Sequence, residues 1–200
     1  SQQLRDDAEQ IWRAGVAAVH PERLIPQYVR VAGNRLCIGD QEFKFPALER
    51  IAIVGAGKAG ASMAIALETA LGDELLKAKQ VTGWVNVPAD CLQSTRCVPL
   101  NPARPAAINE PTLAGLQGTS QILELVANLR AGDLCLCVIS GGGSALLPAP
   151  MLAGDARVAA AEAFAHAVAR VAGMRRGAAA VRRPFGSRRR RSQPASPSSP

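Results

Sequence analysis

Residues 51–63 read IAIVGAGKAGASM, and the predicted fold rests on this stretch. Its first four residues, Ile51 to Val54, are continuously apolar, which is typical of a central parallel strand covered on both faces. Glycines follow the strand, and the apolar spacing from about Ala59 to Leu71 then predicts a helix that Gly72 ends. A strand, a glycine-rich turn and a helix in this order are typical of an α/β domain.

Further strands and helices are predicted on both sides of this stretch. Upstream, the pattern predicts an amphipathic helix over Gln3–Val19 that ends by Pro21, a hairpin of Gln27–Ala32 and Arg35–Ile38 around Gly33 and Asn34, and a short strand over Gln41–Phe45. Downstream, it predicts strands over Val81–Val87 and Asp133–Ile139, a proline-rich loop from Pro99 to Pro111, and a helix over Thr112–Leu129. The predicted class is α/β: a mainly parallel, Rossmann-like sheet flanked by helices, with an N-terminal helix and a small β-hairpin, in an incomplete domain.

The composition is that of a globular protein. Of the 200 residues, 48% are hydrophobic and 20% are charged, and no apolar run is long enough to span a bilayer. The chain does not open with a secretory signal pattern, so we predict a cytoplasmic location and no membrane partner. No Cys-x-x-Cys pair occurs, so neither a disulfide framework nor a metal site is predicted from the five cysteines, which are Cys37, Cys91, Cys97, Cys135 and Cys137.

The net charge of +7 comes from the last quarter of the chain. Residues 1–150 carry 13 basic and 14 acidic side chains, whereas residues 151–200 carry 10 arginines and 2 acidic residues. We predict that residues 1–152 form the domain, and that 153–200 form an Ala/Arg-rich helix and a disordered Arg/Pro/Ser tail. The favoured interpretation of this tail is a non-native end, such as GC-rich DNA translated in a shifted frame. An anchor for nucleic acid is the alternative, which the absence of lysine disfavours.

The turn GAGKAG, residues 55–60, is the first candidate binding site. It satisfies the G-x-G-x-x-G pattern of dinucleotide-binding folds, in which residues such as Gly55 and Gly57 let the backbone approach a phosphate. The acidic residue that binds ribose in such folds is missing, because the second strand ends at Val87 and Pro88. Lys58 instead favours a ligand with carboxylate or phosphate charge. A solvated lysine at a tight turn remains the alternative.

The stretch SGGGSALLP, residues 140–148, is the second candidate. Three consecutive glycines after an apolar strand expose a row of N–H groups, which makes an anion-binding nest flanked by the hydroxyls of Ser140 and Ser144. A nucleophile elbow is excluded, because it would need glycine where the chain has Leu146. Since both loops follow parallel strands, we expect them at the carboxyl edge of one sheet, and phosphoryl transfer is the favoured chemistry.

Several of these motifs together resemble the class II glycerate 2-kinase family, whose members are also labelled as hydroxypyruvate reductases. The resemblance covers roughly residues 4–152 and rests on VGAGKA at 54–59, NPARP at 101–105, and SGGGSALLP preceded by Asp133 and Leu134. It implies ATP-dependent phosphorylation of D-glycerate to 2-phosphoglycerate with ATP and Mg²⁺. By this resemblance, Lys58 is the catalytic contact to the glycerate or to the transferring phosphoryl group. The nucleotide phosphates would be bound by Gly55, Gly57, Ser140, Gly141, Gly142, Gly143 and Ser144.

Two departures from the family limit what the resemblance implies. Asn101 stands where the family tends to carry histidine, and after Met151 the family pattern stops. The family's magnesium-binding acids and catalytic base then have no counterpart, so little or no activity is predicted for what looks like a truncated chain. His166 is expected on the surface rather than in a catalytic role.

Two alternatives to a kinase stay open at this point. One is an NAD(P)-dependent hydroxypyruvate reductase, and the other is a non-catalytic binding module that uses the basic tail. The oligomeric state is not predicted.

Overall fold

Two β-sheets organise the chain in the computed structural model, which describes residues 2–149. The first sheet is an antiparallel meander of three strands, β1 Val29–Ala32, β2 Arg35–Ile38 and β3 Gln41–Lys44. The second is parallel and contains β4 Ile51–Ala56, β5 Thr82–Pro88, β6 Leu100–Arg104 and β7 Leu134–Ile139. The helices are α1 Gln2–Ala18, α2 Pro21–Tyr28, α3 Gly60–Ala78, α4 Leu113–Ala127 and α5 Gly143–Leu146. Short 3-10 turns occur at Phe45–Ala47 and Ala89–Cys91.

The order of strands in the parallel sheet is β6-β5-β4-β7. The chain therefore starts in the middle at β4, moves outward through β5 and β6, and returns through α4 to place β7 on the other side of β4. The connections from β4 thus lead to β5 on one side and later to β7 on the other side. Open α/β sheets bind ligands at such a switch point, between the two strands where the strand order changes direction. The predicted α/β class with a parallel, Rossmann-like sheet is confirmed.

Strand β4 separates two apolar cores. All six of its residues are buried. Ile51 and Ile53 pack in the core that includes Leu67 of α3, whereas Val54 packs with Ile122 of α4. Because successive side chains of a strand point to opposite faces, a strand with helices on both sides must be apolar throughout, as residues 51–54 predicted.

Three local predictions differ from the structure. Gly72 is non-helical (φ 76°, ψ 156°) and breaks the helix where predicted, but helical structure continues beyond this kink to Ala78. Pro21 begins α2 rather than a loop, because proline suits the first turn of a helix, where its missing N–H is not needed. The proline-rich segment from Pro99 contains strand β6. Since β6 pairs with β5 alone among the described strands, Pro102 costs little at that sheet edge.

Helix α1 forms as its periodicity predicts, but its apolar side chains are not covered. No residue of α1 is buried within the described part of the chain. Ile11 is 74% exposed and Trp12 is 67% exposed. The amphipathic pattern thus predicts the helix correctly, yet α1 contributes little to the core described above.

Several predictions fall outside residues 2–149. These are the boundary at residue 152, the Ala/Arg-rich helix, the arginine-rich tail and the surface position of His166, and they stay predictions. Among the described helices, none is both long and apolar enough to cross a membrane.

Candidate functional site

The carboxyl ends of β4 and β7 bring the two glycine-rich loops into contact. Residues 57–59 follow β4 and lead into α3, and residues 140–142 follow β7 and lead into α5. Because β4 and β7 are hydrogen-bonded neighbours, with Ala56 opposite Ile139, the two loops leave the sheet side by side. We call this pair the switch-point loops.

Three hydrogen bonds join the switch-point loops. The N–H of Ser140 donates to the carbonyl of Ala56 (3.1 Å), and the N–H of Lys58 donates to the carbonyl of Gly141 (3.2 Å). The N–H of Ala59 donates to the Ser140 hydroxyl (3.0 Å), which therefore satisfies one of the unpaired donors at the start of α3. The two sequence motifs form one structural unit.

The first loop needs its glycines for close packing. A methyl group at Gly55 would overlap the carbonyl of Val138 on the neighbouring strand, and one at Gly57 (φ 141°) would overlap the Ser140 hydroxyl. The N–H of Gly57 is bonded to the carbonyl of Asn86 (3.1 Å), so it is already engaged within the chain. The role of Gly55 and Gly57 as phosphate-binding residues stays a prediction, because their packing gives a sufficient reason for glycine.

The second loop keeps its donors available. Within residues 2–149, no group accepts a hydrogen bond from the N–H of Gly141, Gly142 or Gly143. Gly141 is exposed, and nothing lies within 4 Å of where its side chain would be. Gly142 has a left-handed conformation (φ 85°). Successive N–H groups around a left-handed residue are the geometry of an anion-binding nest, and the binding of phosphates by Gly141, Gly142 and Gly143 stays a prediction.

The structure places Lys58 against this second loop. Its side chain is exposed, and its Cγ and Cε atoms lie 3.8 Å from the position that a Cβ atom would take at Gly142. No carboxylate among the described residues pairs with it. The predicted approach of Lys58 to the 140–144 loop is therefore present, and the lysine is free to meet an anion.

Arg104 is a site residue that the sequence reasoning missed. It ends β6, is 3% exposed, and its Nη2 atom lies 3.8 Å from the same Cβ position at Gly142. Its Nη1 donates to the carbonyls of Ile108 and Pro105 (3.4 Å for the latter), but its Nε is buried without a partner in the described part of the chain. The arginine within NPARP could have indicated a binding role, but the prolines around it predict a loop. The structure instead has a strand there, and Arg104 lies at its end.

Two asparagines occupy the floor beneath the loops. Asn86, fully buried in β5, donates to the carbonyl of Leu146 (2.7 Å) and accepts from the side chain of Asn101 (3.0 Å). Asn101 also donates to the carbonyl of Ala114 (3.1 Å). Asn101 thus ties β6 to β5 and α4, which is a structural role. The end of β5 carries a neutral amide where a ribose-binding acid would be expected.

Cys91 lies near the two cations of the site. Burial raises the pKa of its thiol and Asp90 adds to the increase, whereas Lys58 and Arg104 oppose it. Cys91 is therefore mainly a protonated thiol at neutral pH and not an activated nucleophile.

The described residues offer no cluster that suits a divalent cation. Mg²⁺ prefers carboxylate oxygens, and no group of three His, Cys, Asp or Glu side chains lies together in residues 2–149. Asp133 lies at the opposite edge of the sheet, paired with Arg50. The described residues therefore do not fit a magnesium site.

These features define a class of protein. It is a doubly wound α/β protein in which a lysine, a buried arginine and a glycine-rich loop lie close together near the switch point. Comparison with known families assigns it further. Residues 7–183 match the family described as "Domain of unknown function (DUF4147)", and the chain belongs to that family.

Relatives with assigned names are similar to the same part of the chain. The glycerate kinase of Danio rerio is 32% identical over 158 residues, covering 74% of this chain and 30% of the relative. That of Homo sapiens is 32% identical over 164 residues, covering 76% and 30%. A protein of Agrobacterium vitis named as a hydroxypyruvate reductase is 34% identical over 101 residues, covering 50% and 24%. The chain therefore spans about a third or less of these relatives.

Solved structures have the same fold. A Pyrococcus horikoshii protein superposes with a TM-score of 0.60 at 21% identity, covering 77% of this chain and 33% of its own. The glycerate kinase of Thermotoga maritima superposes with a TM-score of 0.52 at 25% identity, covering 78% and 32%. The resemblance to glycerate kinases noted from sequence is confirmed at the level of the family, with partial coverage.

Proposed function

We propose that this chain is the N-terminal part of an ATP-dependent kinase that phosphorylates D-glycerate to 2-phosphoglycerate. The observation that carries the proposal is the approach of Lys58 to Gly142 at the switch point, where the N–H groups of residues 141–143 have no acceptor within residues 2–149. The names of the relatives point to the same substrate.

Each part of the loops has a role in this proposal. Phosphoryl transfer needs positioning and charge stabilisation more than covalent chemistry from the protein. The Lys58 ammonium stabilises the charge on the oxygens of the transferring phosphoryl group. The N–H groups of Gly141, Gly142 and Gly143 bind the nucleotide phosphates. Gly55, Gly57 and Ser140 hold the two loops at the required spacing, and Ser144 follows the nest as its second flanking residue.

The proposal includes a limit on the activity of the chain alone. In this proposal residues 1–152 form the first portion of the domain. The match covers 30% of the human relative. The described residues contain no cluster for Mg²⁺, and no acidic or histidine side chain among them is hydrogen-bonded to the switch-point loops. We therefore expect ATP and D-glycerate to bind weakly, with little or no turnover.

Calorimetric titration of the full 200-residue chain with ATP tests the proposal. We expect ATP to bind, and Lys58→Met to weaken that binding about tenfold or more, because a charge-assisted contact is lost. Lys44→Met is the matched control, since Lys44 is an exposed lysine on β3, away from the parallel sheet. If ATP does not bind, or if both variants bind it like the unmodified chain, the proposal is wrong. Turnover is followed in parallel by phosphorus NMR, which distinguishes 2-phosphoglycerate from other products.

A hydroxypyruvate reductase is the second candidate, favoured by the name of the Agrobacterium vitis relative and by the strand order shared with dinucleotide-binding folds. The neutral, fully buried Asn86 at the end of β5 counts against it. Loss of NADH absorbance that requires hydroxypyruvate and survives Lys58→Met would favour the reductase. NADH binding without ATP binding would favour it as well.

A further inference from the structure

The guanidinium of Arg104 is buried without an anionic partner. The residue is 3% exposed, and no carboxylate among residues 2–149 forms an ion pair with it. Its Nη1 group is used by backbone carbonyls of the following loop, whereas Nε has no acceptor and Nη2 faces Gly142. A buried charge with unsatisfied donors is costly, so such a group is expected to meet an anion.

Arg104 and Lys58 converge on one point. Nη2 of Arg104 and Cε of Lys58 both lie 3.8 Å from the position of a Cβ atom at Gly142. Gly142 has no side chain, so this position is open, and its left-handed backbone (φ 85°) disfavours any other residue. Two cations from different strand ends therefore border the same small volume beside the glycine loop.

We propose that Arg104, Lys58 and the backbone at Gly142 form a subsite for one oxyanion, a carboxylate or a phosphoryl group. Arginine presents a planar fork of donors that matches either group, and Lys58 adds a point charge from the exposed side. The inference deepens the proposed site and rests on the proposed function only for the identity of the anion. The subsite itself is tested by binding, so it stands or fails separately from kinase activity.

Thermal unfolding of the full 200-residue chain with added anions is the test. Inorganic phosphate and D-glycerate are the two probes, and glycerol is the uncharged control. We expect at least one anion to raise the unfolding midpoint in a saturable way and glycerol not to do so at equal concentration. The more effective anion identifies the source of the oxyanion in the natural ligand.

Arg104→Met should reduce the affinity for that anion about tenfold or more, because the charged donors are lost. Arg104→Lys should restore part of it. Arg35→Met is the matched control, since Arg35 is an exposed arginine paired with Glu42 on the other sheet, and it should leave the affinity unchanged. Lys58→Met should also reduce the anion-induced shift of the unfolding midpoint. Because Lys58 is exposed, we expect this variant to fold, so it provides the test if Arg104→Met does not fold.

A purely structural role of Arg104 gives a different result. In that case Arg104→Met lowers the midpoint of the ligand-free chain, through the lost bonds to the 105–108 loop, but leaves the anion-induced shift as it was. That result overturns the proposal. A chain that neither phosphate nor D-glycerate stabilises also overturns it. Anion binding that depends on Arg104 in a chain that does not bind ATP would support the subsite while contradicting the kinase.

Discussion

The hydroxyl oxygen of Ser140 lies 3.0 Å from the backbone nitrogen of Ala59 and accepts its hydrogen bond. Ser140 follows β7 and Ala59 precedes α3, so a residue 81 positions away satisfies the start of this helix. The contact explains why the two glycine motifs are structurally inseparable. It also anchors the loop that carries Gly141, Gly142 and Gly143 to the start of α3.

Ser140→Ala should lower the free energy of unfolding by about 1 kcal/mol, the typical net value of one hydrogen bond. Gly57→Ala should cost more, about 2 kcal/mol or above, because its φ of 141° and the overlap with Ser140 both disfavour a side chain. Denaturant unfolding measures both changes.

The double variant Gly57→Ala/Ser140→Ala provides the control for this contact. Removing the hydroxyl relieves part of the overlap, so the double variant should lose less stability than the sum of the losses in the two single variants. Gly141→Ala is the matched substitution, since nothing lies within 4 Å of that position, and it should change stability little. Strict additivity of the two losses would contradict the contact.

Glu68 is a deeply buried acidic residue, at 1% exposure. It accepts hydrogen bonds from the backbone N–H groups of Arg96 (2.8 Å), Cys97 (2.9 Å) and Val98 (3.0 Å), and thereby fixes the segment before β6 on α3. Glu68→Gln should lower the free energy of unfolding by about 1–3 kcal/mol, because an amide NH₂ would face backbone donors. The exposed Glu74 on the same helix is the control, and Glu74→Gln should have almost no effect in the same unfolding measurement.

The stability of the chain should fall in alkaline solution because of Cys97. Burial, together with the hydrogen bond to Glu68, raises the pKa of its thiol from 9.0 to about 11. Above pH 9.0 the unfolded chain loses this proton while the folded chain retains it, so stability decreases until about pH 11. Unfolding midpoints across this range should show a smaller decrease for Cys97→Ala. An equal decrease in the variant would assign the effect to other groups.

A loss of stability in acid should come from Asp133. The bidentate contact with Arg50 (Nε–Oδ1 3.1 Å, Nη2–Oδ2 2.5 Å) lowers the pKa of this carboxyl below 3.8, against an opposing effect of burial. The folded chain therefore keeps the charge where the unfolded chain is already protonated, and stability decreases as the pH falls below 3.8.

Arg50→Met tests the acid prediction. It should lower stability at neutral pH and make the decrease below pH 3.8 shallower, measured as the unfolding midpoint against pH. Arg13→Met, at an exposed pair on α1, should leave the pH profile unchanged. If the unfolding midpoint of Arg50→Met decreases in acid as steeply as that of the unmodified chain, another group causes the loss of stability.

Local patterns predicted most of the secondary structure. The continuous apolar run from Ile51 to Val54 predicted a strand buried on both faces, which the structure has as Ile51–Ala56. The periodicity over Thr112–Leu129 predicted the helix that the structure has as Leu113–Ala127. Where local chemistry is ambiguous, the predictions were less accurate. Gly72 ends many helices but here only kinks one, and Pro102 disfavours a strand except at a sheet edge.

The candidate site could be predicted only in part. The sequence identified Lys58 and the 140–144 loop, because glycine runs after apolar strands have few other uses. It did not identify Arg104, whose importance depends on burial, nor the role of Asn101, whose partner Asn86 is 15 positions away.

The amino-acid pattern alone established the α/β class, the main strands and helices, the two glycine-rich loops and the lysine between them. These are local properties, since the spacing of apolar residues and the conformational freedom of glycine act over a few positions. The strand order β6-β5-β4-β7 was settled by long-range packing. That order places Lys58, Gly142 and Arg104 around one point and buries the arginine without a carboxylate partner among residues 2–149, because strands far apart in the chain become neighbours only when the sheet assembles.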